Sequence, residues 1–251
     1  MSDRYVPLRV TAHLEAGLAY AHDWGLALDG ILASVVHHQA KAELLAAGGN
    51  HIPLRHQDHP VDLDLPLARC TLAGENDWHW AATCSAPVDG QDLLPQVVRW
   101  SSRHDHRLTT AVTSQLPGVV DDQRGRYRSH WMPLTITLTT AVTFEAVGDL
   151  DAIRSLVTPI AAIGKKRAAG HGRVLRWEVE PTDRSPLEAS HLHPDQSLGR
   201  PTPGGCLTHL HAVDPREQRQ GTAGLRPPST HTARARPLFL PAPTHADGGA
   251  A

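Results

Sequence analysis

The sequence predicts an α+β fold, and three patterns carry this prediction. Residues 6–14 alternate apolar and polar side chains, which is the period of a half-buried strand. From Leu28 onward the apolar residues recur with the helical period of 3.6, until Gly48 and Gly49 interrupt them. Residues 134–160 repeat the combination, with an alternating stretch followed by a helical one. A chain of 251 residues has room for one such domain with appendages.

The first strand and the first helix are the best-defined elements of the N-terminal half. The strand places one set of apolar side chains on a single face: Val6, Leu8, Val10, Ala12 and Leu14. The helix is predicted from Leu28 to about Ala47. Residues 50–66 are rich in His, Asp and Pro, so we expect a loop there. Weaker strand patterns follow around residues 68–72 and 78–86.

The next stretch, residues 99–132, is polar and predicts a projecting hairpin. Its turn points are Pro117-Gly118 and Arg124-Gly125. It contains six arginines against three aspartates, the arginines being Arg99, Arg103, Arg107, Arg124, Arg126 and Arg128. Such a hairpin would be an insertion into the domain and would contribute little to its core.

The second half of the domain begins with one predicted strand from Leu134 to Phe144. Asp149 is expected to cap a helix, which Pro159 kinks or ends, and a strand follows at residues 173–180. The order is therefore βαββαβ, that of a ferredoxin-like or RRM-like unit, over residues 1–180. Residues 181–251 are rich in Pro and His and predict a poorly periodic, irregular C-terminal extension.

Composition limits the compartment and the partners. The net charge of −2 conceals an asymmetry, because residues 1–98 hold 5 Lys/Arg and 12 Asp/Glu, whereas residues 99–251 hold 19 and 14. A face that binds a polyanion is thus expected in the second part. Three widely spaced cysteines without a CxxC motif indicate free thiols in a reducing cytoplasm. Neither a signal peptide nor an apolar run of membrane-spanning length is visible, so we expect a cytoplasmic protein without a membrane partner.

The stretch that points most directly to function connects the second helix to the last strand of the domain. This glycine-basic loop, residues 164–173, reads Gly164-Lys165-Lys166-Arg167-Ala168-Ala169-Gly170-His171-Gly172-Arg173. Glycines let the backbone approach a ligand closely, and cations without a neighbouring acid attract polyanions. Walker and Rossmann loops run from strand to helix with their own spacings, which this loop lacks. A solvated connection whose charges face water is the other interpretation of the pattern.

The loop, at the end of an RRM-like unit, resembles the glycine-rich loop of the RAMP superfamily of CRISPR-associated proteins. Further segments resemble the Cas5-like subunit of type IV systems. These are Pro7-Leu8-Arg9-Val10-Thr11-Ala12, Leu28-Asp29-Gly30-Ile31-Leu32-Ala33, Trp100-Ser101-Ser102, Arg124-Gly125-Arg126-Tyr127 and Gly224-Leu225-Arg226-Pro227-Pro228. The resemblance covers roughly residues 5–180 and extends in patches to about residue 243.

The resemblance implies a non-catalytic RNA-binding subunit that caps the 5′ handle of the guide crRNA in a multi-subunit effector. It implies an RRM-like palm and a thumb hairpin that contacts RNA and the neighbouring backbone subunit. The RNA-contacting residues carried over are those of the loop: Gly164, Lys165, Lys166, Arg167, Gly170, His171, Gly172 and Arg173. The thumb contributes Arg103, Arg107, Arg124, Arg126 and Arg128. Contact with target DNA stays open.

Three alternatives remain. One is an RRM-like module that is unrelated to CRISPR. His37 and His38 on the first helix could act as general acid or base, as in a metal-independent endoribonuclease of the same superfamily that processes crRNA. A metal could in principle be bound by residues of the 50–66 loop, namely His51, His56, Asp58, His59, Asp62 and Asp64. Because the chain has 18 histidines and neither an HExxH nor a CxxC motif, we expect no metal site and no cofactor.

Overall fold

The computed structural model describes residues 4–20, 22–55, 57–88, 96–102 and 130–243. The chain forms two compact units, one made of Met1–Leu94 with Thr137–Ala251 and the other of Pro95–Ile136. The strands in chain order are β1 (Val6–Leu14), β2 (Leu18–Ala19), β3 (Arg69–Cys70), β4 (His79–Trp80), β5 (Ala86–Pro87), β6 (Gln96–Ser102), β7 (His130–Thr137), β8 (Ala141–Gly148), β9 (Val174–Pro181), β10 (Arg219–Gly224) and β11 (Ala235–Leu240). The helices are α1 (Leu28–Ala46), α2 (Leu150–Val157), α3 (Pro186–His191) and α4 (Gly204–Leu207). The mixture of antiparallel sheets and a few helices is an α+β fold, as expected.

The main sheet of the larger unit has the strand order β5-β8-β1-β9, and neighbouring strands are antiparallel. Its central strand, β1, has the predicted bounds. The alternation of its sequence buries Leu8, Val10 and Ala12 completely, in a core shared with β8 and β9. Val10 lies opposite Phe144 on one side and Val179 on the other, which fixes the register of three strands at once.

Helix α1 runs from Leu28 to Ala46, close to the prediction, and enters the same core through Leu28 and Leu32. Its second half turns away from the core, so that Leu44 and Leu45 are about half exposed at 44% and 50%. The helix ends just before Gly48, whose φ of 77° is the left-handed geometry that glycine adopts without strain. Within the described ranges, none of the helices is long and apolar enough to cross a bilayer.

Helix α2 begins at the predicted cap. The Asp149 carboxylate accepts a hydrogen bond from the Ala152 backbone N–H at 3.0 Å. Ile153 and Val157 are completely buried in the same core as β1. The helix ends at Val157, two residues before Pro159, as the sequence analysis anticipated.

One predicted element was wrong in extent. The single strand expected from Leu134 to Phe144 is two strands, because β7 ends at Thr137 and β8 begins at Ala141. The Thr139 hydroxyl donates to the Ala141 carbonyl oxygen at 2.7 Å, so a side chain takes over local hydrogen bonding at the bend. The two strands then serve different sheets, since β7 pairs with β6 and β8 pairs with β1.

The arms of the predicted thumb are β6 and β7, which pair in antiparallel register from Gln96 opposite Ile136 to Ser102 opposite His130. They belong to the smaller unit. Residues 103–129 lie outside the described residues. The five arginines assigned to the thumb, Arg103, Arg107, Arg124, Arg126 and Arg128, therefore also lie outside them.

The C-terminal extension is more ordered than we expected. Helix α3 starts with a capping box, in which Ser185 and Glu188 exchange side-chain and backbone hydrogen bonds. A second apolar cluster lies behind it and is formed by Leu192, Leu198, Leu207, Leu210 and Val213. Strands β10 and β11 pair along their whole length. Each element is at most six residues long, too short to show a period in the sequence.

Candidate nucleic-acid interface

The glycine-basic loop lies between α2 and β9 and is built on left-handed backbone positions. Gly164, Gly170 and Gly172 have φ values of 83°, 90° and 67°, and Lys166 has a φ of 56°. Between them, Arg167–Ala169 form a single turn of 3₁₀ helix. Three of these four positions are glycines, which explains why the sequence is rich in glycine here, since glycine adopts this geometry without strain.

Backbone hydrogen bonds hold the loop against β2 and the connection that precedes it. The Gly172 N–H donates to the Gly17 carbonyl at 3.0 Å, and the Lys165 N–H donates to the Ala19 carbonyl at 2.9 Å. A β-carbon on Gly172 would overlap the carbonyl oxygen of Ile163, and one on Gly164 would lie 2.6 Å from the Ala19 carbonyl oxygen. Because Gly164 and Gly172 have no β-carbon, the backbone can pack closely enough to hold the loop in place.

The basic side chains of this loop differ in their availability. Lys165 and Arg167 are exposed, and within the described ranges neither forms an ion pair with a carboxylate. Arg173 is exposed as well but pairs with Glu15 at 2.9 Å. Lys166 and His171 are half-buried. Lys165 and Arg167 are thus the two loop cations best placed to meet an external anion.

These two cations border a cleft of about 1020 Å³ in the larger unit. One wall is α1, the second is the glycine-basic loop, and the third is the segment from Gly224 to Ala235 in the C-terminal extension. Trp24 also lines the cleft, and its ring stacks on the ring of His22 with the two centroids 4.9 Å apart. The cleft therefore joins a cationic edge to a flat aromatic surface.

Two arginines hold the third wall in place, and their guanidinium groups already donate hydrogen bonds to backbone carbonyls. Arg200 is buried and donates to the carbonyl oxygens of Trp80, Ala82 and Leu225, the last two at 2.7 and 2.9 Å. Arg226 donates to the Trp78 carbonyl at 2.9 Å. Both side chains link the C-terminal extension to the β3–β4 region. They therefore fix the position of the third wall of the cleft.

Asp29 is the one acid that lines the cleft in the described part of the chain. It is only 3% exposed and faces Arg200 at 3.7 Å. Burial raises the pKa of the Asp29 carboxyl, and the nearby Arg200 opposes that rise. An incoming anion thus meets a cationic edge and no exposed carboxylate on the lining.

The two histidines of the nuclease alternative are both exposed on α1. The His37 ring contacts the rings of His38 and His51, with centroids 5.9 and 5.4 Å away. Of the pair, His38 lines the cleft and therefore shares it with Lys165. The structure brings these two predicted residues to one cavity.

Two aspartates of the 50–66 loop, Asp58 and Asp62, take part in other contacts. Asp62 pairs with Arg226 at 3.1 Å and with Arg234 at 2.5 Å, and Asp58 accepts the Arg55 backbone N–H at 2.7 Å. His56 lies outside the described residues. The loop thus uses Asp62 to anchor the C-terminal extension.

A different set of potential metal ligands escaped the sequence analysis. Cys70 on β3, His79 on β4, His191 on α3 and Cys206 on α4 bring their ligand atoms within 4.8 Å of one another. Burial and the positive charge of Arg200 lower the pKa of His79 to about 4, so its imidazole is neutral. The 136 positions that separate Cys70 from Cys206 hide the cluster in the sequence.

Residues 6–196 match the family described as CRISPR type IV associated protein Csf3. The match covers more than half of the chain, which therefore belongs to this family and is a CRISPR type IV associated protein. The match confirms that the chain is a type IV CRISPR-associated protein, as the resemblance of its sequence indicated. The matched residues include the whole glycine-basic loop and end before Cys206. No curated protein matches the chain.

Proposed function

We propose that this chain is a non-catalytic RNA-binding subunit of a type IV CRISPR effector and that it holds the 5′ handle of the guide crRNA. The observation that carries the proposal is the position of Lys165 and Arg167 at the edge of the cleft, exposed and without a carboxylate partner within the described ranges. Cations and backbone amides are the groups that hold the phosphates of a single strand.

The strand order supports this proposal. In β5-β8-β1-β9 the strands of the βαββαβ series appear in the order second, third, first and fourth. This order supports the proposal of a ferredoxin-like palm of the RAMP kind in this member of the Csf3 family. On this assignment the glycine-basic loop leads into the fourth strand of the palm, at the end where β1 turns into β2.

The cleft offers both interactions that a bent single strand needs. Lys165 and Arg167 would pair with phosphates, while Trp24 would stack on a base or cover a ribose. Among the described residues of this lining, Trp24 stands without a Phe or Tyr beside it. Contacts to the RNA phosphates would therefore outweigh base stacking. Recognition would therefore depend more on the path of the strand than on its sequence.

The same proposal assigns protein contacts to the smaller unit. A hairpin built on β6 and β7 would grip the RNA and contact the backbone subunit of the effector, in keeping with the thumb of the families that the sequence resembles. The other partners are then the remaining subunits of the effector complex, to which the Csf3 family relates the chain.

The test is a binding titration with RNA that carries the handle. The double variant Lys165→Ala/Arg167→Ala should bind roughly tenfold more weakly at about 0.15 M salt, because the loss of two phosphate contacts means that fewer counterions are released on binding. Arg216→Ala is the matched control, because Arg216 is an exposed arginine away from the cleft lining. Equal affinity of the double variant and the control would contradict the proposal.

A metal-independent endoribonuclease is the second candidate, and the position of His38 favours it. An imidazole that shares a cleft with phosphate-binding cations could move the proton of a 2′-hydroxyl or of the leaving oxygen. We expect guide precursor incubated with the wild type in the presence of a chelator to stay intact. Cleavage that His38→Ala abolishes, with binding unchanged, would replace the first candidate by the second.

A further inference from the structure

We propose that Cys70, His79, His191 and Cys206 form a structural zinc site that fastens the C-terminal extension to the palm. The four residues come from β3, β4, α3 and α4, and three of them are buried. Four protein ligands occupy all the coordination positions of a tetrahedral zinc ion, so that no position is left for a substrate. The site is therefore structural and separate from the RNA cleft.

Two of the distances between ligand atoms match a tetrahedron around one ion, and a third is shorter. Zinc bonds of about 2.3 Å to sulfur and about 2.05 Å to nitrogen give tetrahedral edges of roughly 3.8 Å between sulfurs, 3.6 Å between sulfur and nitrogen and 3.4 Å between nitrogens. The sulfurs of Cys70 and Cys206 are 3.7 Å apart, and the Cys70 sulfur is 3.7 Å from His191 Nε2. The Nε2 atoms of His79 and His191 are 3.0 Å apart, which is about 0.4 Å less than the tetrahedral edge, and all four ligand atoms lie within 4.8 Å of one another.

A hydrogen bond to a group outside the cluster orients one of the four ligands, His191. His191 Nδ1 donates to the Leu187 carbonyl at 2.9 Å, which leaves Nε2 unprotonated with its lone pair toward the cluster. This contact prepares one nitrogen for a metal.

Charge and composition select zinc. Two thiolates and two neutral imidazoles carry a charge of −2, which a divalent ion cancels, so the buried centre is neutral. Soft sulfur together with imidazole in a tetrahedral array is the ligand set of zinc, whereas magnesium and calcium require oxygen. A disulfide would need the Cys70 and Cys206 sulfurs to close from 3.7 Å to about 2.05 Å.

The consequence for the fold is a cross-link between distant parts of the chain. The ion would join the β3–β4 region to two helices of the extension, over 136 positions between Cys70 and Cys206. The same extension supplies Arg200 and the third wall of the cleft. Because the unfolded chain has no such site, the free energy of metal binding adds to folding stability, and the ion would keep that wall in place.

The direct test is the metal content of the full chain, purified under reducing conditions without a histidine tag. We expect one zinc per chain, and cobalt substitution should give the visible absorption of a tetrahedral ion with a thiolate charge-transfer band. Cys206→Ser should lower zinc affinity at least about 100-fold. The matched control is Cys84→Ala, which removes the buried cysteine outside the cluster and should keep the zinc.

Three results would overturn the assignment: wild-type protein that takes up no zinc from an equimolar solution, unchanged zinc affinity in Cys206→Ser, or one equivalent of another metal. Should Cys206→Ser fail to fold, the cobalt spectrum of the wild type decides alone. A handle-binding defect in Lys165→Ala/Arg167→Ala is independent of all these results, so the two proposals fail separately.

Discussion

The backbone N–H of Lys165 donates to the carbonyl oxygen of Ala19 across 2.9 Å. This bond fixes the start of the glycine-basic loop on β2, while the Lys165 side chain remains exposed at the cleft. The loop is thus held by its backbone, which leaves the side chains of Lys165 and Arg167 for a ligand. Such preorganisation lowers the entropic cost of binding.

The loop glycines give the first prediction. Gly172→Ala should cost about 3 kcal/mol or more of unfolding free energy, because the new β-carbon overlaps the Ile163 carbonyl and the φ of 67° is strained for alanine. Gly170→Ala should cost only about 1–2 kcal/mol, since its φ of 90° is equally unfavourable but the space around it is open. Urea unfolding of both variants measures the difference, and equal costs would refute the steric account.

The second prediction concerns Arg200. Arg200→Lys should destabilise the chain by at least about 2 kcal/mol, because a single ammonium cannot satisfy the carbonyls of Trp80, Ala82 and Leu225 in place of the guanidinium fork. The exposed Arg216 supplies the control, and Arg216→Lys should change stability by less than about 0.5 kcal/mol. Thermal and urea unfolding report both values. A tolerated Arg200→Lys would mean that the buried fork is dispensable.

The third prediction is a pH dependence at the start of α2. The hydrogen bond from the Ala152 N–H, aided by the charge of Arg4, holds the pKa of Asp149 below its ordinary value. The unfolded chain therefore binds this proton at higher pH than the folded one. The stabilisation is complete above the unfolded pKa of about 3.9 and is lost as the pH falls through the lower folded value.

Measured against Asp149→Ala, the stability advantage of the wild type should accordingly be constant near neutral pH and shrink in acid. Asp149→Asn is the control, because a neutral amide can still accept the cap hydrogen bond. Its advantage over alanine should not change with pH. An advantage of the wild type that persists unchanged in strong acid would show that the carboxylate charge contributes nothing.

The fourth prediction is the salt dependence of RNA binding. Each phosphate contact to a single strand contributes about 0.7 to the slope of log affinity against log salt. Removal of two contacts in Lys165→Ala/Arg167→Ala should make that slope shallower by about 1.4, whereas Arg216→Ala should leave it unchanged. Titrations at several salt concentrations measure the slopes. Parallel lines for the double variant and the wild type would remove these two cations from the RNA contact.

The sequence predicted the elements whose side chains face one continuous core. Residues 6–14 and the first turns of α1 show clear periods because Leu8, Val10 and Leu28 are buried in the same cluster. The glycine-basic loop was also recognisable, since its glycines and cations are contiguous. The break at Thr139 was not, because the apolar parity continues across the bend and only a local hydrogen bond reveals it.

Features that depend on folding over long separations could not be predicted. The third wall of the cleft and the Cys70–Cys206 pair join residues more than a hundred positions apart. In the extension, buried residues are spread over elements of at most six residues, so no period accumulates. Single histidines and cysteines carry no spacing that distinguishes ligands from core residues.

The most direct test of the central claim is a crosslinking experiment on the assembled effector, with photoreactive nucleotides placed in the 5′ handle of the guide RNA. After digestion, mass spectrometry would locate the linked residues on this chain. Our account predicts crosslinks within residues 164–173 or on the lining of the adjacent cleft. Handle nucleotides that link to this chain only elsewhere, or only to other subunits, would contradict it.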